Sequence, residues 1–431
     1  MISLGCPKNQ VDAEQMLGLL SSAGFEITPD QNEADVIVVN TCGFIGPAKE
    51  ESIEAVLEAA RAKKEGSCRA VVIAGCLAQR YREGLLEEIP EADAIVGISE
   101  IRRIAEVCMD ALAGRGGVAR VSSPDFVYGL PRVCTTPRHV RYLKIAEGCS
   151  NRCSYCAIPL IRGPFKARPA ETILEEAKRL VDEGAREIIL LAQDSTAYKD
   201  GDIDLPRLMR MLVRIEGIEW LRLMYAYPGR ISEGLMQVMA GEEKVCRYLD
   251  IPVQHIDDDL LRAMNRRSTA DDIRRGIERL RRHVPGIALR TSLIVGFPGE
   301  TEAAFKRLLR FVKDTEFDRL GVFTYSPEEG TPARNLAGPV SAEVAEERRG
   351  RIMEVQAAIS LRKNRALVGS RQRVLVDGME DLVLMGRLVT QAPDIDGAVY
   401  LSECDAAPGD FVEVVITDAS EYDLKGTPCR R

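Results

Sequence analysis

The chain has 431 residues, 45% of them hydrophobic and 5% aromatic, and carries a formal net charge of −8. That length exceeds one small core and implies two or three domains of ordinary soluble, globular composition. No apolar run approaches the ~20 residues that cross a bilayer, and Met1 leads into ISLGC without a charged and then apolar leader, so a cytoplasmic protein with no membrane partner is expected. Twelve cysteines suit that compartment, where thiols stay reduced and clustered cysteines serve as metal ligands more often than as disulfides.

From the amino terminus, ADVIVVNTC, RAVVIAGC and DAIVG read as strands, separated by helix-period segments such as PAKEESIEAVLEAARAKKEG. This alternation predicts an α/β domain with an open parallel sheet over residues 1–130. Cys6, Cys42 and Cys76 stand directly after strands, in SLGC, VVNTC and VIAGC. The carboxyl ends of parallel strands face one crevice, so three cysteines distant in sequence converge there and can hold a metal cluster. The alternative is three buried thiols acting as small hydrophobes. The first strand has few residues before Cys6, which implies a short edge strand or a start lying upstream. Cys68, Cys108, Cys134, Cys246, Cys404 and Cys429 share no pattern and read as structural.

A second unit follows over residues 131–365. VRYLKIA, REIILLAQD, WLRLMYAYP, CRYLDIPVQH, IALRTSLIVGF and RLGVFTY alternate with helical stretches, which predicts a partial (β/α)6 barrel working from the carboxyl ends of its strands. The loop after the first of these strands, EGCSNRCSYCAIP, spaces Cys149, Cys153 and Cys156 as CxxxCxxC. Three thiolates can hold three irons of a cubane and leave the fourth open, whereas structural zinc wants four closed ligands. The zinc alternative would need a distant fourth ligand such as Cys134 or His139. Polar residues at the other strand ends should face the same cavity: Gln193 and Asp194, Arg222, Gln254 and His255, Arg290, then Gly296 with Glu300. Glu300 also suits a helix start, and His255 a packed strand end. The stretch MNRRSTADDIRRGIERLRRH offers Arg266, Arg267, Arg274, Arg275, Arg279, Arg281 and Arg282. These read as the exposed face of an outer helix, offset by Asp271, Asp272 and Glu278. The competing reading is a phosphate grip for a nucleic acid, which is not favoured.

SAEVAEERRGRIMEVQAAISLRKNRALVG reads as a charged connecting helix. RQRVLVDG, DLVLMGRLVTQ, GAVYLSE, GDFVEVVITDA and EYDLKG then predict a small β-barrel over residues 366–431. From Ala366 on, twelve acids face six bases, so the barrel holds −6 of the chain's −8. With only Tyr400, Phe411 and Tyr422 as aromatics, it fits a basic protein partner better than bare RNA. A solvated acidic face without a partner is the alternative.

The CxxxCxxC spacing, with Tyr155 before its last cysteine, resembles the radical S-adenosylmethionine signature. The resemblance implies that the open iron chelates the amino and carboxylate groups of S-adenosylmethionine and passes an electron to its sulfonium. An amino-terminal domain with Cys6, Cys42 and Cys76, a radical domain and a barrel of the TRAM type together resemble the methylthiotransferase family. SLGCPKNQVDAE, YLDIPVQH, FTYSPEEGTPA, APDIDGAVY and EYDL resemble its RimO branch, whereas the tRNA branch, MiaB-like, carries a GCQMN-type stretch at residues 5–9. Membership implies two 4Fe-4S clusters, on Cys149, Cys153 and Cys156 and on Cys6, Cys42 and Cys76, with S-adenosylmethionine as radical source and as methyl donor. It implies methylthiolation of the β-carbon of an aspartate in the twelfth protein of the small ribosomal subunit, with a flavodoxin or ferredoxin as electron donor. Tyr155, Gln193, Arg222, Gln254, Arg290 and Gly296 are the expected contacts to S-adenosylmethionine, although AQD stands where the family shows a GGE-type triplet. The rival from another class is a non-catalytic iron-sulfur protein that senses redox state.

Overall fold

A computed structural model describes residues 1–429; Arg430 and Arg431, counted among the barrel's bases, lie outside the described residues. The amino-terminal sheet contains β1 (Ile2–Ser3), β2 (Val36–Thr41), β3 (Ala70–Gly75), β4 (Ala94–Gly97) and β5 (Val118–Arg120). All pair in parallel and in sequence order, with β1 a two-residue edge. Val38, Val72, Ala74 and Val96 pack on one side, and Val39, Val71, Ile73 and Ile95 on the other. A sheet buried on both faces explains why its strands read as unbroken apolar runs. Because β1, β2 and β3 are adjacent, the cysteines that follow them are brought side by side without any reversal of strand order.

The central sheet is six-stranded and parallel, formed by β6 (Val140–Lys144), β7 (Glu187–Leu191), β8 (Trp220–Leu223), β9 (Val245–Asp250), β10 (Ala288–Val295) and β11 (Arg319–Thr324). Its spatial order follows the chain from β6 at one edge to β11 at the other, the curl of an incomplete barrel. Period-two alternation splits its faces. Leu143, Ile188, Leu190, Leu221, Leu223, Leu249 and Leu293 join the larger core beneath the helices. Tyr142, Ile189, Leu191, Trp220, Cys246, Tyr248 and Ala288 face inward, where Val11 of the first helix and Leu375, Val389, Ala392 and Phe411 of the last domain cover them.

That last domain is a closed barrel of β12 (Arg371–Glu380), β13 (Val383–Leu388), β14 (Val399–Leu401), β15 (Phe411–Ala419) and β16 (Leu424–Pro428), reached through a helix spanning Ala342–Arg365. The barrel is docked on the inner face of the central sheet by charged groups. Arg387 donates to Glu187 at 2.7 Å and to Asp377 at 2.6 Å, and His139 meets Asp377 at 3.0 Å. Trp220 stands edge-on to Phe411 with ring centroids 5.1 Å apart.

Two sequence expectations change here. Asp377, Asp394 and Asp396 belong to the docked side: Asp394 accepts from Tyr142 at 3.1 Å, and the Asp396 carboxylate is sealed 3.7 Å from Arg290. The barrel's outward acidity is therefore smaller than its composition. Arg266 departs from the outer helix, since it is 8% exposed and donates to the Pro252 carbonyl at 2.7 Å. The rest of the arginine stretch behaves as expected for a helix surface. Thr269 and Asp272 cap it reciprocally, Arg275 pairs with Asp271 and Asp272, and Arg281 donates to the Thr315 carbonyl.

Candidate active site

Cys6 is the cap residue of helix α1 (Pro7–Ser22) and Cys76 the first residue of helix α2 (Cys76–Tyr81), so both thiols sit at helix amino termini, where partial positive charge favours a thiolate. Pro7 suits the first turn of α1 because no backbone donor is needed there. Gly5 has φ +89, and a Cβ on it would stand 2.9 Å from Cys42 Cβ and 3.1 Å from its Sγ. Only glycine lets the Cys6 turn lie against Cys42. Burial alone would raise the Cys6 thiol, and the Lys8 and Arg162 cations with the Asn9 and Lys8 amides reverse this, holding it below its ordinary value. Cys76, by contrast, is pushed up to about 12 by burial, against the pull of Arg162, with the Cys6 and Cys42 thiols beside it adding to the rise.

The second trio lies in the loop after β6. Asn265 donates to the Arg152 carbonyl at 2.7 Å, Ser154 to the Ala263 carbonyl at 2.7 Å, and Asn151 to Asp194 at 2.8 Å. These bonds fix the loop largely through its non-cysteine side chains, and no thiol is tied up in a disulfide. Burial raises the Cys149 and Cys156 thiols, and neighbouring thiols of the trio raise them further. Tyr155 packs among Leu260, Met264, Phe297 and Ala333, and its hydroxyl accepts from Arg266 at 3.2 Å. Tyr155 thus has an apolar bed and a polar tip beside the trio.

A residue that sequence reasoning passed over joins the two trios. Arg162, in the helix after the loop (Ile158–Arg162), donates to Cys76 Sγ at 3.2 Å, to Asp12 at 2.8 Å and to Glu147 at 3.0 Å. Lys144 of β6 links the same two acids, and Gln193 donates to Glu147 at 2.6 Å. Burial opposes ionisation of Glu147, yet Arg162 and Lys144 hold its carboxyl well below the usual carboxylate range. Cys76 also packs against Ala157, next to Cys156. Cys76, Ala157 and Arg162 thus make the two trios neighbours, and the space between them is called the chamber. The only signal for Arg162 in the sequence was its place in PLIRG, just past the cysteine loop.

The other expected contacts divide. Gln193 and Asp194 lie at the cysteine side, and Asp194 also accepts from Arg230. Arg290 faces the chamber interior, donating to Asp250 at 3.2 Å. Gln254 holds φ +72 and extends the sheet by a backbone bridge to Leu293. His255 is sealed, accepting from the Asp257 amide at 3.0 Å and standing 3.4 Å from Glu300. Glu300 in turn binds the Gly296 amide and accepts from Arg348 at 2.9 Å. A Cβ on Gly296 would lie 2.5 Å from that of Ala345, so helix packing accounts for this glycine. Arg222 is a correction. It points to the amino end of the neighbouring strand, donating to Glu187 at 2.6 Å and to the Val389 carbonyl at 2.9 Å, and it belongs to the barrel joint.

The donor set fits iron-sulfur clusters better than zinc. All twelve cysteines are free, and the suggested fourth zinc ligands are elsewhere: His139 is held by Asp377, and Cys134 lies 3.9 Å from Glu183. Among the described residues no three His, Cys, Asp or Glu side chains gather around a single ion. Cubane thiolates each take a separate iron and need no such closeness. No helix is long and apolar enough to cross a membrane.

Fold and site together define a radical S-adenosylmethionine enzyme built of three modules. The Radical SAM superfamily profile matches residues 143–312, that of the uncharacterized protein family UPF0004 residues 1–97, and the TRAM domain residues 368–429. The superfamily brings with it a 4Fe-4S cluster and S-adenosylmethionine. Among curated relatives, the ribosomal protein uS12 methylthiotransferase RimO of Trichlorobacter lovleyi is 51% identical over 98% of this chain and 96% of its own. The RimO of Geobacter sulfurreducens is also 51% identical, over 99% and 97%. The chain belongs to the RimO family of methylthiotransferases. The radical S-adenosylmethionine methyltransferase TsrM of Kitasatospora setae shares the fold, with a TM-score of 0.56 and 17% identity over 82% of this chain and 87% of that one.

Proposed function

We propose that this chain transfers a methylthio group to the β-carbon of an aspartate in ribosomal protein uS12. The observation that carries it is the shared chamber: Arg162, from the helix that closes the Cys149–Cys156 loop, donates to Cys76 of the other trio at 3.2 Å. A non-catalytic iron-sulfur sensor has no use for a guanidinium that ties the helix after one cysteine loop to a thiol of the other trio.

In this reading Cys149, Cys153 and Cys156 hold one 4Fe-4S cluster and Cys6, Cys42 and Cys76 a second. When bound, the clusters and S-adenosylmethionine supply one-electron chemistry at an unactivated C–H bond and the methylthio group itself. The chain's own residues place and shield. Asp194, Asn151 and the Ala263–Asn265 backbone set the first trio, while Gly5, Arg162 and Asn9 set the second. The barrel, docked through Arg387, covers the inner sheet face and keeps water from it. Gln193 and Arg290, whose strand ends border the chamber, and Tyr155 are the groups placed to contact S-adenosylmethionine; Gln254 stays in the same role through its backbone, and Gly296 by close approach. The working units run near residues 1–130, 131–365 and 366–431. An acidic outer barrel suits a basic ribosomal protein, and a flavodoxin or ferredoxin supplies electrons.

The test uses oxygen-free, iron-reconstituted, reduced protein with S-adenosylmethionine and either a uS12 peptide containing the target aspartate or a tRNA anticodon stem-loop. A mass gain of one methylthio group on the peptide alone is expected. Gain on the stem-loop alone overturns the substrate, and release of no 5'-deoxyadenosine with either overturns the enzyme.

A further inference from the structure

Lys8 is a buried lysine beside the Cys6 trio whose ammonium has no carboxylate in direct contact, although its charge is felt by the Cys6 thiol and the Asp250 carboxyl. Its side chain lies in the first turn of α1, two positions past Cys6, and the residue is 7% exposed. Its Nζ stands 3.5 Å from the centroid of the Tyr225 ring. Among the described residues no carboxylate pairs with that ammonium and no acceptor takes a hydrogen bond from it. The neighbouring buried cations each meet a carboxylate: Lys144 meets Asp12 and Glu147, Arg162 meets Asp12 and Glu147, Arg222 meets Glu187, and Arg387 meets Glu187 and Asp377. Asp250, whose carboxyl feels the Lys8 charge, is engaged by Arg290 at 3.2 Å.

A tyrosine face attracts a partly desolvated cation but gives back less than the water or carboxylate it replaces. The difference marks a position shaped for an anion that arrives from outside, between Cys6 on one side and Tyr225 on the other. Its surroundings also decide what kind of anion fits. One ammonium on a rigid helix start offers a point charge suited to a single carboxylate, without the fork that a phosphate or bidentate clamp would favour.

We propose that Lys8 pairs with the carboxylate of the substrate aspartate, and so makes the enzyme select an acidic side chain while bringing its β-carbon to the Cys6 side of the chamber. This rests on a protein aspartate being the substrate. Tyr225 is the positioning partner, holding the ammonium in place before substrate arrives.

Fluorescent uS12 peptides carrying aspartate or asparagine at the target position, titrated by anisotropy against full-length iron-reconstituted protein without S-adenosylmethionine, test it. The wild type should bind the aspartate peptide tighter by about tenfold or more, the effect of one net charge pair. Lys8→Met should bring both peptides to the same weak affinity with iron content unchanged, and Lys8→Arg should keep the preference. Preference retained in Lys8→Met overturns the assignment, as does loss of about half the iron, which would make Lys8 a support of the Cys6 trio. Equal binding of both peptides to the wild type overturns the Lys8 assignment while leaving the substrate in place. Binding of neither peptide overturns the substrate reading itself.

Discussion

At Cys6 a turn, a helix start and two cations act on one thiol, and the most demanding of these is the turn. With φ +89 at Gly5 and Cys42 Cβ 2.9 Å from where a methyl would go, Gly5→Ala must push Cys42 away or break the turn. On the two-cluster reading, reconstituted Gly5→Ala and Cys42→Ala proteins are both expected to hold about four irons and the intact chain about eight. Full iron in either variant would remove the second cluster from Cys6, Cys42 and Cys76. The cysteine trios stand out in the sequence because residue type, short spacing or a shared place after a strand marks a candidate metal ligand. Arg162 and Lys8 were not, because an arginine or lysine in a strand-helix turn looks the same whether it faces water or a buried thiol. Arg222 shows the opposite failure: its place at the end of a strand suggests the cavity, but nothing local says toward which end of the sheet a long side chain leans.

Between elements, the joint of barrel and sheet is the place where charge is most tightly committed. Burial opposes ionisation of Glu187 and Asp377; Arg387 and Arg222 outweigh it at the first, and His139 with Arg387 at the second, so both carboxyls titrate below their ordinary values. Groups depressed in this way stabilise the folded joint above their unfolded values, about 4.3 for Glu and 3.9 for Asp, and that stability drains away as pH falls below them. Trp220, the single tryptophan, touches Phe411 across the joint and reports its state. Its emission is expected to shift red below about pH 4, and at higher pH in Glu187→Gln. Arg387→Ala leaves Glu187 with Arg222 alone and Asp377 with His139 alone, and should cost about 3 kcal/mol in a denaturant melt. An unchanged midpoint would mean that apolar contacts alone hold the barrel. The strands of this joint were legible from period-two patterning, whereas their partners were not, since the acids and bases that meet here are separated by most of the radical domain.

Across the whole molecule, the three-module order and the acidic last module follow from apolar runs, turn residues and a count of charges. The count could not say which acids look outward. Asp394 and Asp396, natural choices for a docking surface, are turned to Tyr142 and Arg290 instead. Lysine substitutions at the exposed Glu380, Asp381, Glu403 and Asp405 are therefore expected to weaken binding to a basic ribosomal protein and flatten its dependence on salt. Asp396→Lys should instead lower thermal stability, by forcing like charges onto Arg290 and Arg319. Identical salt curves for the exposed variants and the wild type would place docking away from the barrel.

The guanidinium of Arg162 belongs to both halves of the chamber at once, bonded to Cys76 and carried on the helix that ends the other cysteine loop. If both halves are filled, such sharing is expected to make their maturation a linked equilibrium, in which whatever settles in one cradle alters the affinity of its neighbour and the influence runs equally in the reverse direction. A molecule filled on one side only is thus a distinct chemical species, with its own grip on the missing half.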